Sequence, residues 1–500
     1  MAVNQIKAGA VLSYVSLIVG NVIVLIYTPF MLRMLGSSEY GIYSLCNTIT
    51  STIAMLDAGL GIAAVKYIVK YKEEPEKQAS AMGVFTLFNL VLGLIAFIIT
   101  IAIAGDAENI FSESMTAHEI SSVKTIIFIT GFYLLLSFGI SVFQAAVTAY
   151  ERFVFIKVVD ILRTIMLPLL IIPFLFAGYK AVMMCVVTIS VFILILLIKM
   201  VYCFTKLKLR VSFRNFDYSL IKEALPYSFI VLAKLILDKL FWSEGQMLLG
   251  YTSGTLAVAV ISISLQMKGY FEAISQSVNN LFLPRCSEYA KQPQGMSLTS
   301  DLFVRVCRLQ TIMMGLVLSG YIVFGHEFMI LWAGSEYEQS FWASVIIMIP
   351  CIIPLIQGMG NSILQAFGIV KFQSLVYLGI VIFVAVLTLI FGKQYGVMGT
   401  AIIIGAAVII FEITIMNLYY ARIGLDIRSF WKNFVKIILP YAILTAIWLV
   451  FIPKTLFEGW LRLAIGIVAF SVVAFIIEYF AVFNDEEKSM VKAVINKIKR

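Results

Sequence analysis

The sequence predicts an all-α polytopic membrane protein that crosses the bilayer about fourteen times. Three observations predict it. Apolar residues make up 61% of the 500-residue chain, only 13% are charged, and the mean hydropathy is +0.99. The apolar runs are about twenty residues long or longer, enough for a helix to span hydrocarbon. The lysines and arginines gather on alternate connections between these runs, as they do in chains threaded through a membrane.

Each observation excludes something. A soluble chain of this length could not hide so much apolar surface from water, so lipid must be part of its solvent. Within lipid every backbone polar group has to be satisfied inside its own helix or in a closed barrel. A barrel reads as alternating stretches of roughly ten residues, and long runs such as 191–204, apolar but for Lys199, do not read that way.

In chain order the spans are expected near 9–32, 40–65, 80–104, 123–148, 154–177, 179–204, 225–249, 255–283, 307–327, 340–366, 370–391, 396–420, 431–452 and 460–483. The first follows a single early lysine, Lys7, and no A-x-A-like cleavage site, so it reads as a span and not as a removable signal. Of the 37 basic residues, twenty-seven fall at or near the termini and even-numbered connections, six at or near the opposite side and four well inside spans. That bias predicts both termini on the cytoplasmic side, and the net charge of +9 is accounted for without nucleic acid. The connections near 105–122 and 328–339 are acidic and carry no lysine or arginine. Pro168 and Pro173 in the fifth span, and Pro350 and Pro354 in the tenth, are expected to kink their helices. The six cysteines form no C-x-x-C pair and read as buried or interfacial thiols.

The chain also repeats itself. Gly36 corresponds to Gly250, Phe153 to Phe372 and Gly178 to Gly396, at offsets of 214, 219 and 218 residues. Two six-helix halves of the same topology follow, related by an axis along the membrane normal, as in transporters. The expected division is 1–204, a cytoplasmic connection at 205–224, a second lobe at 225–420, and a C-terminal helix pair with a basic tail at 421–500.

The N-terminal region carries Tyr27-Thr28-Pro29-Phe30-Met31-Leu32-Arg33-Met34-Leu35-Gly36, Glu39-Tyr40-Gly41-Ile42-Tyr43-Ser44-Leu45, Leu56-Asp57-Ala58-Gly59-Leu60-Gly61 and Val65-Lys66-Tyr67. In these motifs it resembles the oligosaccharide flippase (Wzx-type polysaccharide transporter) family of the MOP exporter superfamily. The resemblance implies two six-helix lobes in a V around a central cavity, with the last two helices an extra pair. It implies flipping of an undecaprenyl-pyrophosphate-linked oligosaccharide to the outer leaflet of the bacterial cytoplasmic membrane by alternating access. Partners would be that substrate, membrane lipids, and a polysaccharide polymerase or other glycan-assembly proteins; no cofactor or metal is implied.

Charges inside spans are costly and mark candidate sites. Lys234 and Asp238 in the seventh span, and Lys268 and Glu272 in the eighth, are spaced i,i+4, which puts each pair on one helix face. The resemblance places both helices beside the cavity. There the lysines would attract a pyrophosphate or acidic sugar, with the carboxylates neutralising them in the empty state or answering a coupling proton. The plain alternative is that each pair satisfies itself. Lys239 and Glu244 lie beyond the first pair. Arg33, at the outer end of the first span, either snorkels or reaches the cavity. Asp57 reads as a packing or inner-gate contact, Glu412 as a solitary coupling carboxylate or a protonated one, and Asp160 with Arg163 as a local ion pair.

Walker, zincin and G-x-S-x-G motifs are absent, and His118 and His326 lie far apart, so the chain does not read as an enzyme. Two other classes stay open. A cation-coupled drug exporter of the same superfamily would favour an anionic cavity. A membrane enzyme of glycan assembly would need converging polar groups at one leaflet.

Overall fold

In the computed structural model the described residues are 2–214, 218–279, 281–452, 459–485 and 487–489; the basic tail from 490 onward lies outside them. The described chain is helical, as expected. Its helices are α1 (Ala2–Leu35), α2 (Ser37–Ala54), α3 (Ala58–Lys70), α4 (Pro75–Phe111), α5 (Ala117–Ala149), α6 (Phe153–Phe176), α7 (Ala181–Thr205), α8 (Tyr218–Asn279), α9 (Leu283–Tyr289), α10 (Gly295–Trp332), α11 (Glu338–Ile356), α12 (Met359–Ala366), α13 (Lys371–Ala407), α14 (Met416–Arg422), α15 (Ile427–Phe451) and α16 (Trp460–Ala481). Twelve stretches of the described residues are long and apolar enough to cross a membrane. Two of these, within α8 and along 371–422, are each divided by a glycine with non-helical backbone, Gly254 and Gly396, so the stretches comprise fourteen helical segments, the number of spans the sequence predicts.

The interruptions have local causes. Gly254 sits at φ 80°, a region closed to most side chains, and a β-carbon there would also strike the Ser114 carbonyl oxygen. A 3-10 turn at Met55–Asp57 separates α2 from α3, so Asp57 lies at a break in the second span. The prolines of α6 and α11 stay inside continuous helix, and the tenth span breaks after its prolines, at Gln357–Gly358. Val408–Ile415, linking α13 to α14, is a π-helix. The connection at 105–122 is shorter than expected, because α4 runs on to Phe111 and α5 starts at Ala117.

The chain forms two compact units. The first comprises Met1–Ser262 and Ala385–Gly396, the second Ile263–Val384 and Val397–Arg500. In the first, α5 packs along α4, α3 and α7, while α6 lies between α1 and α7. On α4 the small residues Ala96, Thr100, Ala104 and Ala107 are buried while Leu87, Val91, Leu94 and Ile98 are exposed. Lipid is as apolar as a protein core, so large side chains face it at no cost, and small ones let helices approach. The segment after α7 docks back on this unit, with Leu209 buried and the Ser212 amide donating to the Ala79 carbonyl at 2.9 Å. In the second unit α10 packs against α11, α15 and α16. Phe324, Ile437, Tyr441, Leu463 and Phe470 form the core beside the C-terminal helix pair. All six cysteines are buried free thiols.

Candidate functional site

Helix α2 carries Ser38, Gly41, Ser44, Thr48 and Thr52. Steps of three and four residues put them on one face. Within the first unit that face meets both arms of α8. Ser44 Oγ donates to Ser262 Oγ at 2.7 Å, and Thr48 Oγ1 to Gln246 Oε1 at 2.9 Å. Gln246 Nε2 donates back to Ser44 at 2.9 Å and to Ser262 at 2.7 Å. Thr52 and Ser243 hydroxyls lie 3.3 Å apart. Glu244, between Ser243 and Gln246 in sequence, is buried. Gly41 lies so close to Thr255 that a β-carbon would collide with its carbonyl oxygen.

One end of the seam is tied by the loop after α4 and the first turn of α5. Glu119 Oε1 accepts from Ser38 Oγ at 2.5 Å and from Thr255 Oγ1 at 2.6 Å, while Glu119 also closes a capping box with Thr116. Ser114 Oγ donates to the Gly250 carbonyl at 2.9 Å, and Ser253 Oγ to the Gly392 carbonyl at 3.1 Å. Lys393 and Glu113 form an exposed bridge at 2.6 Å, and the hydrogen bond and charge of Lys393 hold the Glu113 carboxyl below the usual range. The seam thus consists almost wholly of neutral hydroxyl, amide and carbonyl groups.

The charged positions singled out in the sequence divide between the units. Arg33, Asp57 and Asp238 belong to the first. Arg33 and Asp238 are exposed, and Asp57 Oδ1 accepts from Ser141 Oγ at 2.8 Å, which in turn accepts from Asn89 at 2.9 Å. The side chain of Lys234 lies outside the described residues. In the second unit Lys268 is buried and donates to Glu272 at 2.7 Å. Cys351 on α11 is buried and within electrostatic reach of Lys268, Glu272 and Glu412. Glu412 sits in the π-helical segment, a distortion often found at functional positions.

One local reading is corrected. Asp160 does not pair with Arg163 on its own helix. It faces Lys199 of α7 at 3.7 Å, while the Arg163 guanidinium lies 5.5 Å over the Phe192 ring. Lys199 is therefore an interior charge. The sequence reading also missed an ionic clamp in the second unit. Arg308 donates to both carboxylate oxygens of Glu487 at 2.7 and 3.0 Å and to the Val482 carbonyl at 2.7 Å. Both side chains are nearly buried. Among the described residues no three metal-ligating side chains gather.

Twelve described stretches fit to cross a membrane, two of them divided by a glycine, define a polytopic all-α membrane fold. Solved structures share it. The lipid II flippase MurJ in its inward closed conformation matches with a TM-score of 0.72 at 14% identity, covering 94% of this chain and 98% of that one. The MATE multidrug transporter DinF-BH matches with a TM-score of 0.60 at 16% identity, over 85% and 96%. A multidrug resistance MATE family transporter of the MOP superfamily, inward-facing, gives 0.56 at 15%, over 80% and 98%. No curated protein matches the chain significantly. The family model described as polysaccharide biosynthesis protein matches residues 6–281, more than half of the chain, and the chain belongs to that family.

Proposed function

We propose that this protein flips an undecaprenyl-pyrophosphate-linked oligosaccharide from the inner to the outer leaflet of a bacterial cytoplasmic membrane by alternating access, without catalysing a reaction of its own. The observation that carries this reading is the meeting of a polysaccharide-biosynthesis family assignment with a MOP-type fold. Both termini lie in the cytoplasm, as the loop charges favour. The turn at 112–116 then faces outward.

The α2–α8 seam is the element that parts and re-forms. Each of its hydrogen bonds contributes only about 0.5–1.5 kcal/mol net, because water replaces a hydroxyl or amide partner readily. A seam of this kind closes tightly and opens without stranding a charge in hydrocarbon. Lys268 with Glu272, Lys234 with Asp238, and Arg33 line the cargo's route. A lysine that exchanges its carboxylate for a pyrophosphate keeps a charge-assisted partner throughout. Asp57 acts in the inner gate and Glu412 in coupling. A polysaccharide polymerase or another glycan-assembly protein takes up the product.

The test is depletion of the protein in its own cell. The expected result is loss of surface polysaccharide with lipid-linked oligosaccharide accumulating in the inner leaflet, where an added membrane-impermeant glycosidase cannot reach it. Accumulation in the outer leaflet would assign the protein to a later step and contradict the proposal.

A further inference from the structure

We propose that α6 and α7 of the first unit hold a site for a lipid phosphate, built from Lys157, Arg163 and Lys199 around the single carboxylate of Asp160. The row on α6 has three-residue spacing, so Lys157, Asp160 and Arg163 project from neighbouring positions on one side. Lys199 enters from α7, buried, and reaches Asp160 at a loose 3.7 Å. Lys157 and Arg163 both act electrostatically on Lys199, so the three cations share one neighbourhood. Among the described residues no carboxylate pairs with Lys157 or Arg163. Arg163 instead lies over Phe192, whose ring also meets Tyr133 of α5 at 6.0 Å. Asp57, whose charge reaches Tyr133 as that of Arg163 does, closes on Ser141. Even with Asp57 counted, cations outnumber carboxylates three to two.

An unbalanced excess of positive charge inside a spanning segment is unstable unless an anion supplies the missing charge. The depth suits a headgroup phosphate. At 1.5 Å per residue, Lys157, Asp160 and Arg163 lie about 6, 10 and 15 Å along α6, and Lys199 about 9 Å from the end of α7. The two helices are joined by a short turn at 177–180, so both distances are measured from the same end. Beside the charged row α6 exposes Val158, Leu162, Ile165 and Leu169, an apolar stripe at helical spacing along which an acyl or prenyl chain can lie. A ligand that satisfies both features has a phosphate and a long apolar tail. Arginine grips phosphate through two parallel donors and lysine as a point charge. Asp160 holds Lys199 in place and competes with the ligand for it.

The inference stands on this charge count and not on the proposed cargo; a protein that exports nothing could still hold this lipid. The test uses the purified full-length protein in neutral detergent, with phosphatidylglycerol and undecaprenyl pyrophosphate as probes and diacylglycerol as the uncharged control, read by native mass spectrometry. The double variant Lys157→Gln/Arg163→Gln should bind at least one phosphate probe about tenfold more weakly, with diacylglycerol unchanged. Lys157→Gln alone, at a half-exposed position, serves if the double variant does not accumulate. Asp160→Asn should bind the same probe more tightly, a gain that a purely structural role for Asp160 would not produce. Weakening with phosphatidylglycerol assigns the site to bulk membrane lipid; weakening confined to undecaprenyl pyrophosphate assigns it to the carrier lipid. Unchanged affinity for both probes in the glutamine variants, or weaker binding in Asp160→Asn, overturns the proposal.

Discussion

Two regions of the molecule, the α2–α8 seam of the first unit and the Arg308–Glu487 clamp of the second, make polar contact inside a membrane in different ways. The first joins α2 to α8 through Ser44, Thr48, Thr52, Ser243, Gln246 and Ser262, all neutral groups. The second holds Arg308 against Glu487 as a nearly buried ionic clamp. A neutral hydrogen bond parts at small cost because water takes over its partners. A nearly buried ion pair that loses one member leaves the other charged and unmatched. The first arrangement suits a surface that opens repeatedly, the second a joint that stays shut.

Substitutions can break or sharpen that contrast. The largest effect is expected at the clamp of the second unit. Glu487→Ala strands Arg308 and should lower stability by about 3–5 kcal/mol, read as a drop in melting temperature of the purified protein; an unchanged melting temperature would remove the ionic joint from the comparison. Next comes the neutral seam. Gly41→Val forces a side chain into the Thr255 backbone, a cost of about 1–3 kcal/mol. Because the strain arises only when the seam closes, surface polysaccharide should fall towards background while the protein still accumulates. Gly20→Val on α1, where a β-carbon meets nothing within 4 Å, is the matched control and should leave export intact.

The smallest effect is expected at the exposed Lys393–Glu113 bridge. Its carboxylate is held below the usual range by Lys393, so what the bridge contributes is present above the ordinary carboxylate pKa and fades as pH falls through the lowered one. At pH 7 Lys393→Ala should leave melting temperature and export unchanged, and titration of Glu113 should return towards the ordinary carboxylate range. A clear loss of export at pH 7 would move this bridge into the seam's working parts.

Hydropathy and loop charge made the spans legible, because both follow from the lipid solvent and need no partner. Glycines marked the breaks at Gly254 and Gly396, where backbone geometry tolerates little else. The pairing of Lys268 with Glu272 was readable because it is local, four residues along one helix. What stayed hidden lies far apart in sequence. Ser44 and Ser262 are 218 residues apart, and a helical serine that bonds its own backbone, as Ser190 does to Val186, looks the same in sequence as one that crosses to another helix. Asp160 had a cation three residues away, yet its partner is Lys199 on the next helix. Arg308 stands at the very edge of the expected span, and its interior place shows only once α10 is seen to begin at Gly295, twelve residues earlier.

The central claim is that the α2–α8 seam opens and closes during transport. Ser44 and Ser262 hydroxyls touch at 2.7 Å, so the pair Ser44→Cys/Ser262→Cys is placed to form a disulfide when the seam is shut. Oxidation of that variant in cells, followed by quantification of surface polysaccharide and then by reductant, tests the claim directly. The account predicts that cross-linking stops export and that reduction restores it. Full export with the seam quantitatively cross-linked would contradict it.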